Sequence, residues 1–223
     1  MTETIDFTMM YATHNAFRRD LRRLAAAASD RDGPGAVRAG WENFKAQLHL
    51  HHSVEDTHLW PRLQRAVTTP DDLALLQDME AEHALIDPLL AAVDAALDSA
   101  PDRAPAAAPA TGGAHIGATG GANALAEALD RLAAALGHHL EHEEEDALPL
   151  IQAELTPADW KAFANEMRRR QGVKGAAVYV PWILDGAPAE ERRRFLGALP
   201  APVTALNRLL WQPRYLRRRL WTS

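Results

Sequence analysis

The 223-residue chain contains no cysteine. Disulfides, iron–sulfur clusters and thiol catalysis are therefore excluded, and any metal site must be built from imidazole and carboxylate. Strand-favouring runs of Val, Ile, Thr and aromatics are scarce, whereas Ala and Leu dominate. That balance predicts an all-α protein. No apolar run reaches the ~20 residues of a membrane-spanning helix. The opening MTETIDFTMMYATHNAF has no basic segment followed by an apolar one, so no secretory signal is expected and the expected location is cytoplasmic. A net charge of −6 weighs against nucleic acid as a partner.

What is present is helix punctuation. A first helix is predicted from about Asp6 to Ser29, ended by the turn SDRDGPG. A second runs to about Val67, bent or ended near Pro61. The stretch TTPDD places Thr69 as N-cap, Pro70 at the first helical position and two acids in the first turn. The third helix then reaches about Leu97. Residues 99–122, rich in Ala, Pro and Gly, read as a flexible linker. A fourth helix follows from about Ala122 to Ala153, and Thr156-Pro157 opens a fifth. Two units are expected: a metal-binding four-helix bundle over residues 1–153 and a helical C-terminal extension over 154–223.

The buried stripes carry the chemistry. Steps of three and four residues give Met10, His14, Phe17, Leu21 and Leu24 on the first helix. The second gives Trp41, Phe44, Leu48, His51, Glu55 and His58; the third gives Leu76, Met79, His83, Ile86, Leu90, Val93 and Leu97. The fourth gives Leu125, Leu129, Leu132, Leu136, His139, Glu143, Asp146 and Leu150. Every apolar stripe is interrupted by a histidine, and on two helices a carboxylate follows one turn later. A buried unpaired carboxylate costs roughly several kcal/mol, so such a core demands compensation, which a pair of cations supplies. Two prolines set the register: His51-xxx-Glu55 ends six residues before Pro61, and His139-xxx-Glu143 six before Pro149.

The combined pattern of His14, His51-xxx-Glu55, His83 and His139-xxx-Glu143, with the tails EDTHLWP and EEEDALP, resembles the hemerythrin-like HHE cation-binding domain of bacterial type over about residues 6–153. The resemblance implies an up-and-down four-helix bundle around a non-heme di-iron centre. His14, His51, His83 and His139 would be terminal ligands, with Glu55 and Glu143 bridging two iron ions through an oxo group or the carboxylates. Iron ranks ahead of manganese or zinc on this basis. The implied function is binding or sensing of O2, NO or peroxide; the alternative is a di-iron redox enzyme that activates oxygen or decomposes peroxide. One departure stands out. Oxygen-carrying hemerythrins place two histidines one turn apart on the third helix, whereas Met79 stands one turn before His83 here. Fewer histidines would leave more open positions on the metals, which weighs against simple reversible oxygen storage.

The remaining candidates rank lower. His58 would stand behind His51 and Glu55, and Asp87 is an extra ligand candidate. His49, His52, His138 and His142 read as surface or supporting residues, and His115 falls in the linker. Glu141 to Asp146 read as a solvated face apart from Glu143 and Asp146. A ferritin-like arrangement through Glu55/His58 and Glu80/His83 is the competing metal reading. The ending APVTALNRLLWQPRYLRRRLWTS mixes aromatics with arginines; the favoured reading packs the aromatics on the bundle and pairs the arginines with its acids, and the alternative is contact with an anionic membrane surface.

Overall fold

A computed structural model describes residues 4–29, 35–99 and 117–221, and among these the chain is helical throughout, without strands. Helix α1 spans Thr8–Ser29. Helix α2 (Gly35–Val54) passes through a π-turn, π1 (Glu55–Leu59), into α3 (Trp60–Gln64). Helix α4 covers Pro70–Ser99. Helix α5 (Gly117–His142) passes through a second π-turn, π2 (Glu143–Ala147), into α6 (Leu148–Glu154). There follow α7 (Pro157–Leu184), α8 (Ala189–Ala198), α9 (Ala201–Leu206), a third π-turn π3 (Asn207–Trp211) and α10 (Gln212–Arg217).

The predicted starts of α4 and α7 rest on the expected caps. Thr69 Oγ1 accepts from the backbone N–H of Asp72 at 3.1 Å, and Thr156 forms a capping box with Asp159. Two boundaries differ from expectation. The second helical rod ends at Gln64 rather than Val67, and α5 starts at Gly117 rather than Ala122. Most of the predicted linker, residues 100–116 and His115 with it, lies outside the described residues.

Pro61 and Pro149 bend the ladder without ending it. A proline has no N–H for the carbonyl four residues back. The turn before each proline widens instead: Trp60 N–H bonds to the Glu55 carbonyl, and Leu148 N–H to that of Glu143. Single π-turns of this kind often sit where a helix carries function.

Helices α2 and α5 each pack against both α1 and α4. The core they enclose is split in two. One apolar cluster holds Phe17, Trp41, Phe44, Leu48, Ile86, Leu136 and Leu140; the other holds Met10, Val54, Trp60, Met79, Ala147 and Leu148. The predicted histidines and Glu55 and Glu143 lie near where the two clusters meet along each helix, and all of them are buried, as a polar layer.

Helices α7 and α8 pack back on α1, and α7 also on α2. Gly172, at φ +59°, kinks α7 in a conformation that favours glycine, and the segment beyond it buries Val180, Trp182, Ile183 and Leu184. Trp211, Tyr215 and Leu220 are buried as well, as the packing reading expected of the aromatics. Trp221 seats on Gly40, where an added Cβ would come within 2.6 Å of the indole. The arginine half of that reading is not met at Arg217, which bonds to the Pro213 carbonyl of its own segment. The clamp comes from α1 instead. Buried Asp20 accepts from Trp182 Nε1 at 2.6 Å and pairs with Arg19, while Arg23 pairs with Asp185 at 2.9 Å. Arg19 also donates to the carbonyls of Trp182 and Ile183. Burial raises the Asp20 pKa, against the opposing charge of Arg19.

Replacing Asp20 with Ala leaves the buried Trp182 indole N–H without its acceptor and Arg19 without its buried counter-charge. Unfolding in urea should then show a loss of about 3–5 kcal/mol, while a surface control such as Glu154→Ala should leave the midpoint unchanged.

Candidate metal centre

Within the polar layer the side chains form two groups. His14 of α1, His51 of α2 and Glu143 of π2 make the first; His52 of α2, His83 of α4 and His139 of α5 make the second. His14 Nε2 lies 3.2 Å from His51 Nε2 and 3.2 Å from Glu143 Oε2. His83 Nε2 lies 3.0 Å from His139 Nε2. Glu55 joins the groups, with one oxygen 3.2 Å from His51 Nε2 and the other 3.8 Å from His83 Nε2.

The six residues expected from the sequence are thus brought into one layer, all at most 5% exposed. The sequence reading missed a seventh. His52, read as a surface or supporting residue, is 8% exposed and stacks on His83 at a ring distance of 3.9 Å. Consecutive residues on a helix point about 100° apart. Because α2 packs against both α1 and α4, His51 reaches His14 and His52 reaches His83. Where Met79 offers no nitrogen beside His83, His52 places one there from the neighbouring helix.

Other lower-ranked candidates fall away. His58 faces Glu166 of α7 at 3.6 Å and bonds to Thr57, so it does not stand behind the ligands. Asp87 is exposed, as is Glu80, and with His58 turned away the ferritin-like arrangement has neither of its motifs. The Asp146 side chain is 61% exposed. His49 and His138 are exposed, as expected.

Three acids that the sequence reading did not single out hold the histidines from behind. Glu144 bonds to His14 Nδ1 at 2.8 Å, Asp56 to His83 Nδ1 at 2.7 Å, and Glu82 to His139 Nδ1 at 2.9 Å. An ionised carboxylate only accepts, so each of these Nδ1 atoms carries the proton. Each Nε2 of a neutral ring then presents a lone pair. With both rings neutral, His83 and His139 aim two lone pairs at each other across 3.0 Å, an arrangement that repels unless something electron-poor lies beside it. A carboxylate behind a ligating imidazole is the usual way to fix its tautomer and raise its basicity.

The electrostatics point the same way. Burial lowers His51 and His52 well below the ordinary histidine value, and the charges of neighbouring histidines add to it. Burial opposes charge on His14 too, but Glu143 and Glu144 outweigh it and raise its pKa. Burial, then the charge of Glu143, pushes Glu55 well above the usual carboxylate range. Glu143 is also buried, yet the His14 charge holds it low, at about 2. All four oxygens of Glu55 and Glu143, and Nε2 of His52, lack a hydrogen-bond partner among the described residues. Donor-less buried carboxylates facing bare imidazole nitrogens fit divalent cations, and the absence of thiolate favours iron, manganese or zinc.

Residues 6–151 match the family model of the hemerythrin HHE cation binding domain, and the chain belongs to that family. No curated protein and no solved structure matches the chain. With its His/Glu groups, this is a metal-binding hemerythrin-like protein.

Two substitutions test the reassigned residues. His52→Ala should lower metal affinity at least tenfold, or halve the metal content of the purified protein by elemental analysis, whereas His49→Ala should leave both unchanged. Asp56→Ala, at an accessible side chain, should lower affinity about 10–100-fold by freeing the His83 ring without changing the helical content seen by circular dichroism.

Proposed function

We propose that residues 6–151 form an up-and-down four-helix bundle whose centre holds two iron ions, and that the protein binds or senses O2, NO or peroxide there, in the cytoplasm. His14, His51 and Glu143 would hold one ion, and His52, His83 and His139 the other, with Glu55 reaching both. Bound iron would supply a redox-active position able to take a small oxidant or diatomic ligand. The chain's own part is to orient the imidazoles through Glu144, Asp56 and Glu82 and to keep the layer dry between its apolar clusters.

The enclosure of the centre carries the choice of ligand. Its seven side chains are 0–8% exposed. Surface grooves occur elsewhere, one between α8 and π3 along Leu196, Leu199, Thr204 and Arg208, another along Glu42, Asn43, Gln47 and Val178, and neither is lined by these seven residues. A molecule of two or a few atoms suits such a centre; an organic substrate does not.

Purified protein from iron-replete cells should contain about two irons per chain and show an absorption band that changes on adding O2, NO or peroxide. Glu55→Ala should lose the iron. Acidification should also release it, but only well below the ordinary histidine pKa of about 6.5, because burial already disfavours protonation of His51, His52 and His139. Full-length, folded protein without metal would overturn the reading, and sustained peroxide turnover would move it to a redox enzyme.

A further inference from the structure

A second cluster of ligating side chains lies outside the buried layer. His138 and His142 are one turn apart on α5, with rings 5.8 Å apart and only 21° from parallel. Both address Glu82 of α4. His142 Nδ1 lies 2.8 Å from Glu82 Oε1, and His138 Nε2 lies 3.5 Å from the same oxygen. The three donor atoms all sit within 4.8 Å of one another.

Exposure grades outward, at 15% for Glu82, 21% for His142 and 73% for the His138 side chain. The cluster is therefore open to solvent on one side and floored by the carboxylate on the other. Its surroundings are acidic: Asp146 lies 3.6 Å from His142 Nε2, and Glu141 and Glu145 are exposed on the same stretch of helix. Glu82 takes three imidazoles at once, since its second oxygen holds His139. Protons alone would have to fill each of those contacts.

We propose that Glu82, His138 and His142 form a peripheral site for a divalent transition cation of the zinc type. Two imidazoles and one carboxylate without thiolate suit Zn2+, Cu2+ or Ni2+. In a tetrahedral zinc site the ligand atoms stand about 3.3 Å apart, given bonds near 2.0–2.1 Å. The 3.5 Å separation of His138 from Glu82 already fits, and the 2.8 Å contact of His142 has only to open by a fraction of an ångström as its proton leaves. Water would take the fourth position.

The site is wired to the centre through one carboxylate. A cation on Glu82 Oε1 draws electron density from the group whose Oε2 orients His139. Loading the periphery should therefore weaken the hold on the His139 Nδ1 proton. This coupling rests on the proposed iron centre; the peripheral site itself does not.

The test is a titration of the full-length protein, as purified, with Zn2+ followed by calorimetry, and with Cu2+ followed by electron paramagnetic resonance. The quantity read is the difference between the wild type and His138→Ala, a change at an exposed side chain. We expect the wild type to take one zinc equivalent more than the variant, or to hold it at least tenfold tighter. His142→Ala should behave like His138→Ala, and His49→Ala like the wild type. The copper signal should show two coordinated nitrogens in the wild type and one in His138→Ala. Equal zinc binding by wild type and His138→Ala, together with an unchanged copper signal, would overturn the site. Because the reading is a difference, it stands or falls whether or not the centre carries iron. If iron is present, a shift of its absorption band on zinc addition to the wild type, absent in His138→Ala, reports the coupling; no shift removes the coupling and leaves the site.

Discussion

Two fully buried carboxylates without hydrogen-bond donors, Glu55 and Glu143, are the constraint to which the remainder of the helical fold answers. An apolar core with these acids unpaired would lose several kcal/mol at each, on the order of the effective desolvation penalty of an ion. Imidazoles from α1, α2, α4 and α5 crowd around them for that reason. The apolar residues then divide into a cluster on either side of the polar layer, and the outer acids Glu144, Asp56 and Glu82 turn the histidine rings so that their free nitrogens face inward. Charge inside dictates tautomer, and tautomer dictates which polar residues must stand just outside.

The two halves of the layer are near-repeats. In each, a histidine precedes a buried glutamate by one turn, a π-turn starts at that glutamate, and a proline follows six residues later. The acid after each buried glutamate holds a histidine of another helix: Asp56 holds His83, and Glu144 holds His14. The repeat breaks at one place. Glu82, just before His83, backs His139, but the residue just before His14 is Thr13, which bonds to Met9 and to Tyr179 of the extension. Nδ1 of His51 has no partner among the described residues. The halves thus differ in how firmly their imidazoles are held. The spacing appears a third time, at Asn207 and Pro213 around π3, where a buried asparagine takes the place of the acid.

Periodicity located most of this site because metal ligands on a helix obey the same geometry as core residues. His14, His51, Glu55, His83, His139 and Glu143 each fall on a stripe whose other members are mostly large apolar residues. Glu55 and Glu143 stand out there because an acid is costly on such a stripe. The proline frame worked for a related reason: a missing N–H perturbs the ladder at a fixed distance, so it marks the same turn twice. His52 escaped because a single stripe assumes that a helix has one buried direction. A helix wedged between two neighbours has two, about as far apart as consecutive side chains.

The sequence by itself determined the helical class, the caps at Thr69 and Thr156, the identity of the buried acids and the family's histidine pattern, since each depends on neighbours within a turn or two. The tertiary structure alone decided that His52 belongs with His83 and His139 while His58 turns to Glu166. It also decided which acids stand behind which imidazoles and how Asp20 clamps the extension to α1. These pairings join residues between 27 and 162 positions apart. Their partners are chosen by which helix faces which, and no local propensity encodes that.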